Sequence, residues 1–387
     1  MSEASIPLYQ MIYNDIVNRI HSGQYKDGDR IPSEKELAEE FNVSRITSKK
    51  ALEMMADKGL IDRAPGRGSF VRDESDTELK KMQHKGSGIN KTHGKLVGVI
   101  IPDFTESYGT ELLSGIEKEA FDENCFIVVK RSYGRQDVEE HVIDSMLELG
   151  VDAIIIMPVH GELYNRKLLR LTLDEFPIVS VDRCLKGIPI PFVGTDNIGA
   201  SVKATDYMLN LDHKNIAILS PPYHNTSAIE ERIEGFIKSH AEHGVGIDES
   251  LWLTDLISTK PGKNTNENIN IDIQKIVNHL KDNSQITCIY ALEYNIALLA
   301  MKAAKSIGKE IPRELSIVCF DSPKNYADEY VFTFVRQKEA EMGQKAFKLL
   351  LNQIGTKDNM EKIYLDADLV IGTTTAKINP SKNDKRL

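Results

Sequence analysis

Between Arg45 and Gly68 the sequence gathers side chains suited to gripping a charged, patterned surface. Arg45, Ile46, Lys49 and Lys50 fall within six residues, and Arg67 stands between Gly66 and Gly68. Guanidinium and ammonium groups hold phosphates, and a guanidinium can also fork onto a guanine edge. A branched apolar side chain such as Ile46 suits a thymine methyl. An Arg flanked by two glycines at a loop tip can lie against a phosphate or reach into a minor groove. The chemistry this set can do is non-covalent reading of double-stranded DNA. A lone charge run is usually only a solvated face, but here three features coincide: two short helices, a basic N-terminal half on the second, and a Gly-rich hairpin.

The elements that must position these groups are legible nearby. Leu8, Ile12, Ile16 and Ile20 recur at spacing four and predict a first helix. Ser33 is a good N-cap, and Glu36 three residues later completes a capping box. Leu37, Ala38 and Phe41 then share one helical face. Asn42-Val43 makes the turn, and Ser44 can cap a further helix running to about Lys58, with Gly59 as its stop. Ala51, Leu52 and Met55 form that helix's buried stripe, leaving the cations on the other side. Leu60–Arg63 and Ser69–Val71 read as strands around the turn at Ala64–Gly68. Helix, turn, helix with a cationic N-terminal half is the geometry that enters a major groove.

The whole-chain balance runs the other way. The 387 residues carry a formal net charge of -10. Yet between Val43 and Arg72 there are seven cations (Arg45, Lys49, Lys50, Lys58, Arg63, Arg67, Arg72) against three anions (Glu53, Asp57, Asp62), a net of +4. The basic footprint is local. Cys125, Cys184, Cys288 and Cys319 show no metal-ligand or disulfide-framework spacing, so no metal and no cofactor are expected. No leader-like or membrane-length apolar stretch is seen, and a cytoplasmic protein is expected. A P-loop, G-x-S-x-G and H-E-x-x-H are all missing from the sequence, which argues against an enzyme.

Residues 73–94 are polar, with Gly86-Ser87-Gly88, and read as a flexible linker. Beyond Lys95, short apolar runs alternate with amphipathic stretches. The runs are Leu96–Ile101, Phe126–Val129, Ala153–Met157, Ile178–Val181, Ile216–Leu219, Cys288–Leu292 and Leu315–Cys319, with a helix at Thr110–Asp122. The pattern predicts parallel sheets, and too many residues for one sheet predict two lobes. Ser258–Asn270 reads as a polar surface insertion. In two-lobed sheets a ligand binds beyond the carboxyl ends of the strands. The candidates there are Asp103, Arg131, Asp182, Arg183, Glu293, Tyr294, Asp321 and Gln337, with Tyr108 in the first loop. Planar polar groups plus a ring suit a sugar. Each of these residues is otherwise an ordinary loop or capping polar group, and Asp196-Asn197 reads as a structural turn.

Residues 8–71 resemble the winged helix-turn-helix of the GntR family of bacterial regulators. Gly28-Asp29-Arg30-Ile31-Pro32-Ser33-Glu34, Val43-Ser44-Arg45, Ala51-Leu52 and Gly66-Arg67-Gly68 carry the likeness. It implies base or phosphate contacts at Glu34, Arg45, Thr47, Lys49, Arg67 and Gly68, beside Ile46 and Lys50. Lys49 stands where the family usually has Arg, and Ser48 where it usually has Val. Residues 95–376 resemble the effector domain of the LacI family. The carriers are Val97–Pro102, Val151–Ile156, Val181-Asp182-Arg183, Val193–Ala200, Arg232 with Gly235-Phe236, Phe320-Asp321, Gln337 and Met342-Gly343. This likeness favours ligand roles for Arg183, Gln337 and Tyr108. Glu293-Tyr294 replaces the usual Asn-Asp, and Gly372 replaces a late Arg. Together the two resemblances are those of the arabinose-repressor subgroup.

The expectation is an α/β chain with a small winged head at 1–72, a linker at 73–94, a two-lobed effector and dimerisation domain at 95–377 and a polar tail at 378–387. The implied protein is a homodimeric, DNA-binding transcriptional repressor controlled by a small molecule, arabinose or another carbohydrate. The rival expectations are a cytoplasmic carbohydrate-binding protein, a regulator answering a non-sugar ligand and acting as an activator, and an enzyme on an α/β scaffold.

Overall fold

Ser33 caps a helix in the way its spacing predicts. Its hydroxyl accepts from the Glu36 N–H, and the Glu36 carboxylate accepts from the Ser33 N–H at 2.6 Å. Around this box the computed structural model builds the first of two compact units. The structure describes residues 8–21, 24–26, 28–57, 60–64, 68–71, 94–105, 107–159, 165–185, 187–223, 226–323, 331–355 and 360–378. Residues 73–93 of the expected linker, Lys58-Gly59, Pro65–Arg67 and the tail beyond Ile378 lie outside the described residues.

The first unit, the head, contains α1 (Leu8–His21), β1 (Arg30–Ile31), α2 (Glu34–Glu40), α3 (Arg45–Asp57), β2 (Ile61–Ala64) and β3 (Gly68–Val71). Ile12, Ile16, Leu37, Ala51, Leu52, Met55, Ile61 and Val71 form its core, with Ile31. β2 and β3 pair as the expected antiparallel hairpin. β1 adds a third strand on the far side of β3, through Ile31↔Ser69, which the turn-like sequence before it does not announce.

The second unit, the body, alternates strand and helix. Its first lobe holds β4 (Leu96–Ile101), α4 (Thr110–Asp122), β5 (Phe126–Arg131), α5 (Gln136–Leu149), β6 (Ala153–Ile156), α6 (Arg166–Leu173), β7 (Ile178–Val181) and β8 (Phe192–Thr195). The second holds α7 (Asn197–Asn210), β9 (Ile216–Leu219), α8 (Ser227–Glu242), α9 (Asn266–Asp282), β10 (Cys288–Ala291), α10 (Tyr294–Ser306), β11 (Ser316–Phe320) and β12 (Thr333–Arg336). α11 (Glu339–Gly355) and β13 (Lys362–Leu365) return to the first lobe, and β14 (Asp368–Val370) ends in the second.

The first-lobe sheet runs β13-β8-β7-β6-β4-β5, with every pairing parallel. The second runs β14-β12-β11-β10-β9 and is parallel except for β14 on β12. Central strands such as β6, β7, β10 and β11 are buried at every residue, because helices cover both faces. The chain therefore crosses between lobes three times, near Thr195, Gln337 and Asp366. Asp196 caps α7, accepting from Gly199 N–H at 2.9 Å. One expectation needs correction. Ser258–Asn270 is not simply surface insertion, since Ser258 is buried and Asn266 onward is already α9. Among the described residues no helix is long and apolar enough to cross a membrane.

Candidate functional site

Two groups of residues in the structure correspond to the two chemistries. In the head, Arg45 and Ile46 open α3. Ile46 is 80% exposed, an apolar side chain held out in water at a helix N-terminus. Thr47 shares a 2.9 Å hydrogen bond with the Ser44 hydroxyl. Ser48, where a Val would be usual, is fully buried and donates to the Glu34 carbonyl at 2.7 Å, tying α3 to the start of α2. Lys49 lies 3.7 Å from Glu53 one turn on. Lys50 sits 4.1 Å over the Tyr9 ring, so its ammonium lies on the α1 side of the helix.

Glu34 forms an ion pair with Arg63 of β2 at 2.5 Å, and Arg63 also lies 3.9 Å from Glu53. Arg63 therefore links the hairpin to both helices, a role its sequence context did not suggest. Gly68 opens β3 at φ +117°, where a Cβ would meet the Arg30 side chain at 3.0 Å. Arg67 lies outside the described residues.

In the body, the strand ends converge. β7 runs into Asp182 and β11 into Asp321, and the two aspartates adopt left-handed backbone at φ +63° and +62°. Each backbone N–H bonds to the next strand, Asp182 to Val193 O and Asp321 to Val335 O, both within 3.0 Å. The lobes thus place matching carboxylates at matching positions. Asp and Asn tolerate this conformation better than most residues, and strain of this kind gathers at functional sites.

Tyr108 donates to Asp182 at 2.5 Å. Arg183 lies 3.6 Å from the same carboxylate and donates to Pro158 O. Gln337, at a lobe crossing, donates to both Asp321 oxygens at 3.0 and 3.1 Å and accepts from Thr195 at 2.7 Å. Gln337 thus ties Asp321 of the second lobe to Thr195 at another lobe crossing.

The other expected residues divide. Glu293 follows β10 as half-buried N-cap of α10, near Arg232 and Arg183. Tyr294 instead packs its ring edge-on against Phe332 at 5.8 Å and joins the core beside α10. Asp103 and Arg131 pair with each other at 3.1 Å at the rim, where Arg131 also lies over Tyr133 at 4.7 Å.

Two residues beside the site were not assigned to it from the sequence, although Arg232 was among those carrying the family likeness. Arg232 on α8 is 6% exposed, stacks 3.7 Å over Phe320, and donates to Asn197 and to Leu292 O. Its signal was a lone Arg within the apolar face Ile229, Ile233, Phe236. Glu339 opens α11 and accepts from Gly109 N–H at 2.6 Å. Its signal was an acidic first turn directly after a strand.

Burial raises the Asp321 carboxyl to about 7, with Arg232 and Gln337 opposing and Asp182 and Glu293 adding. Burial, together with Asp321 and Asp182, raises Glu339 to about 8. Both groups bind protons more tightly folded than unfolded. Their stabilisation is complete below the ordinary carboxylate range and is lost as pH rises through 7 and 8, by at most about 1.4 kcal/mol per pH unit for each group. The body's melting temperature is expected to fall between pH 5 and pH 8.5 beyond what Glu339→Gln shows. Parallel curves for the two proteins in calorimetry would contradict this.

Comparison with known proteins agrees with this anatomy. Residues 8–71 match the model of bacterial regulatory proteins, gntR family. Residues 205–375 match the periplasmic binding protein-like domain. The arabinose metabolism transcriptional repressor of Halalkalibacterium halodurans is 25% identical over 97% of this chain and 98% of that protein. Its counterpart of the same description in Geobacillus stearothermophilus is 23% identical over 98% of this chain and 100% of that protein. The crystal structure of the transcription regulator CcpA of Lactococcus lactis superposes with a TM-score of 0.63 at 21% identity, covering 73% of this chain and 99% of that one.

The chain thus joins a GntR-type DNA-binding domain to a periplasmic-binding-protein-like domain of the LacI type. It is homologous to arabinose metabolism transcriptional repressors over nearly its whole length and to LacI-family regulators over the body.

Proposed function

We propose that this chain is a homodimeric repressor whose head, within residues 1–72, reads double-stranded operator DNA under the control of a carbohydrate bound in the body, residues 95–377. A linker at 73–94 joins the two, and residues 378–387 form a tail. The observation that carries the reading is the pair of strand-end carboxylates, Asp182 held by Tyr108 and Arg183 in one lobe and Asp321 held by Gln337 in the other, in the same chain as an exposed Arg45-Ile46 pair. Arg45, Ile46, Thr47 and Lys49 face base edges. Glu34, fixed by Arg63, sets their register, while Lys50, Arg67 and the Gly68 backbone hold phosphates. Arabinose is the first sugar to test, given the relatives that cover both parts of the chain. A LacI family regulator from Enterococcus faecium of the same body fold, 23% identical, was crystallised with ribose.

Two heads on a dimer suit a pseudo-palindrome with half-sites about one helical turn apart. Sugar binding shifts the lobes through Gln337 and lowers operator affinity, and a coupling of about 1–3 kcal/mol gives roughly 5- to 150-fold.

The test is a gel shift on DNA selected from a random library, with and without L-arabinose. Arg45→Ala is expected to weaken operator binding roughly ten- to hundredfold, the value of one good base contact. Arg183→Ala is expected to keep operator binding and lose the response to sugar. An Arg183→Ala protein that still releases DNA normally places the effector elsewhere.

A further inference from the structure

The lobes meet once more, at the rim of the cleft and away from the three crossings. After β5 come Ser132, then Tyr133 and Gly134 at φ +53° and +63°. A Cβ on Gly134 would lie 2.5 Å from two carbons of the Pro261 ring, so Pro261 rests directly on the glycine backbone. Gly134 belongs to the first lobe and Pro261 to the second-lobe loop leading into α9. A glycine is needed here twice over, for its left-handed φ and for its missing side chain.

The loop is anchored at both ends and bare at its tip. The buried Asp272 carboxylate accepts from the N–H groups of Ile257 and Ser258 at 2.9 and 2.7 Å. Asn268 donates to Lys263 O at 2.8 Å, and Thr265 caps α9. Between these anchors Pro261 and Gly262 are exposed, and Gly262 turns the chain at φ +72°.

The loop's base carries a second, independent observation. Ser258 is 3% exposed and its hydroxyl has no partner. The Thr259 hydroxyl is buried against the Glu293 carboxyl, which holds it as a hydrogen-bonding neighbour. Across the contact, Ser132 is fully buried and its hydroxyl is likewise unsatisfied. An unpartnered buried hydroxyl costs about 1–3 kcal/mol. Two of them, Ser258 and Ser132, flank one contact between lobes, with the Thr259 hydroxyl beside Glu293 on the loop, and they mark a place where a polar molecule belongs.

We infer that the loop from Ile257 to Thr265 is a lid that bridges the two lobes by seating Pro261 on Gly134, and that Thr259 on it selects a hydroxyl-bearing ligand. The bridge stands on geometry alone; the role of Thr259 rests on the sugar reading above. When the lobes part, the flat Pro261 ring lifts from Gly134 and opens a path to Glu293 and Asp321. When they close, the lid holds the ligand in and sets its rate of escape.

Hydrogen exchange on the full-length, ligand-free protein tests the bridge. Pro261→Ala is expected to speed exchange at residues 132–136 as well as 257–265, by roughly tenfold, with α4 unchanged. Faster exchange confined to 257–265, or none, overturns it. L-arabinose, D-ribose and D-galactose then probe the ligand role, by thermal shift and by fluorescence of Trp252, the one tryptophan in the sequence. For whichever sugar stabilises the native protein, Thr259→Val is expected to weaken binding about tenfold, the worth of a lost hydrogen bond. Pro261→Ala is expected to speed its release. Unchanged affinity and release overturn the lid's part in binding. If none of the three sugars shifts the native protein, the sugar reading and the role of Thr259 fall together, and the exchange result still decides the bridge.

Discussion

Replacing Arg232 with Met is expected to destabilise the body by about 3–5 kcal/mol, the range seen when one partner of a buried charge cluster is removed. The guanidinium is 6% exposed and lies over Phe320 at 3.7 Å. Its N–H groups donate to Asn197 at 2.9 Å and to Leu292 O at 2.8 Å, so Met leaves two acceptors without donors. Its charge also opposes the protonation of Asp321 and Glu293.

Without Arg232 both carboxyls hold their protons to higher pH. Ionising them then costs more, so the deficit relative to the native protein grows as pH rises from 5 to 8. Urea unfolding followed by Trp252 measures this, because that ring packs near Phe236 on the same helix as Arg232. A deficit of equal size at both pH values would show that Arg232 acts through packing rather than charge.

Gly343→Val is expected to cost the body about 3 kcal/mol or more, at the upper end for overpacking because backbone rather than a flexible side chain is in the way. A Cβ at Gly343 would come within 2.3 Å of Leu112 O and 2.8 Å of Ile116 N. On the facing helix a Cβ at Gly115 would come within 2.1 Å of Ala340 O. α4 and α11 therefore cross with their backbones in contact, which is what brings Glu339 to the Gly109 N–H. Forcing the helices apart should break that contact as well as the packing. Thermal unfolding of the variant, against Gly246→Ala as a control with open space around it, measures the effect. A Gly343→Val protein as stable as the control would mean the crossing relaxes freely.

The head was the more legible part. Ser33 and Glu36 are three residues apart, and the box they form needs no distant partner. Ala51, Leu52 and Met55 were expected inside from spacing alone and are at most 1% exposed. What spacing could not show was the pairing of residues far apart in the chain. Arg63 reads as one more surface cation until β2 folds back and sets it against Glu34. Tyr294 reads as a ring at the site until α10 turns it onto Phe332. Ser258 reads as polar surface until Asp272 draws its backbone inward.

The sequence by itself determined a winged head with a local positive charge on an acidic chain, and a body of buried strands alternating with helices. Those properties are set by periodicity, capping and neighbouring charge, all within a few residues. Only the tertiary structure decided that Asp182 and Asp321 take matching places in two lobes, and that Arg232 and Glu339 stand beside them. Only it placed Pro261 on Gly134. Residues separated by a hundred positions or more become neighbours only when the sheets close, and burial then gives ordinary carboxyls and hydroxyls properties that their place in the sequence does not carry.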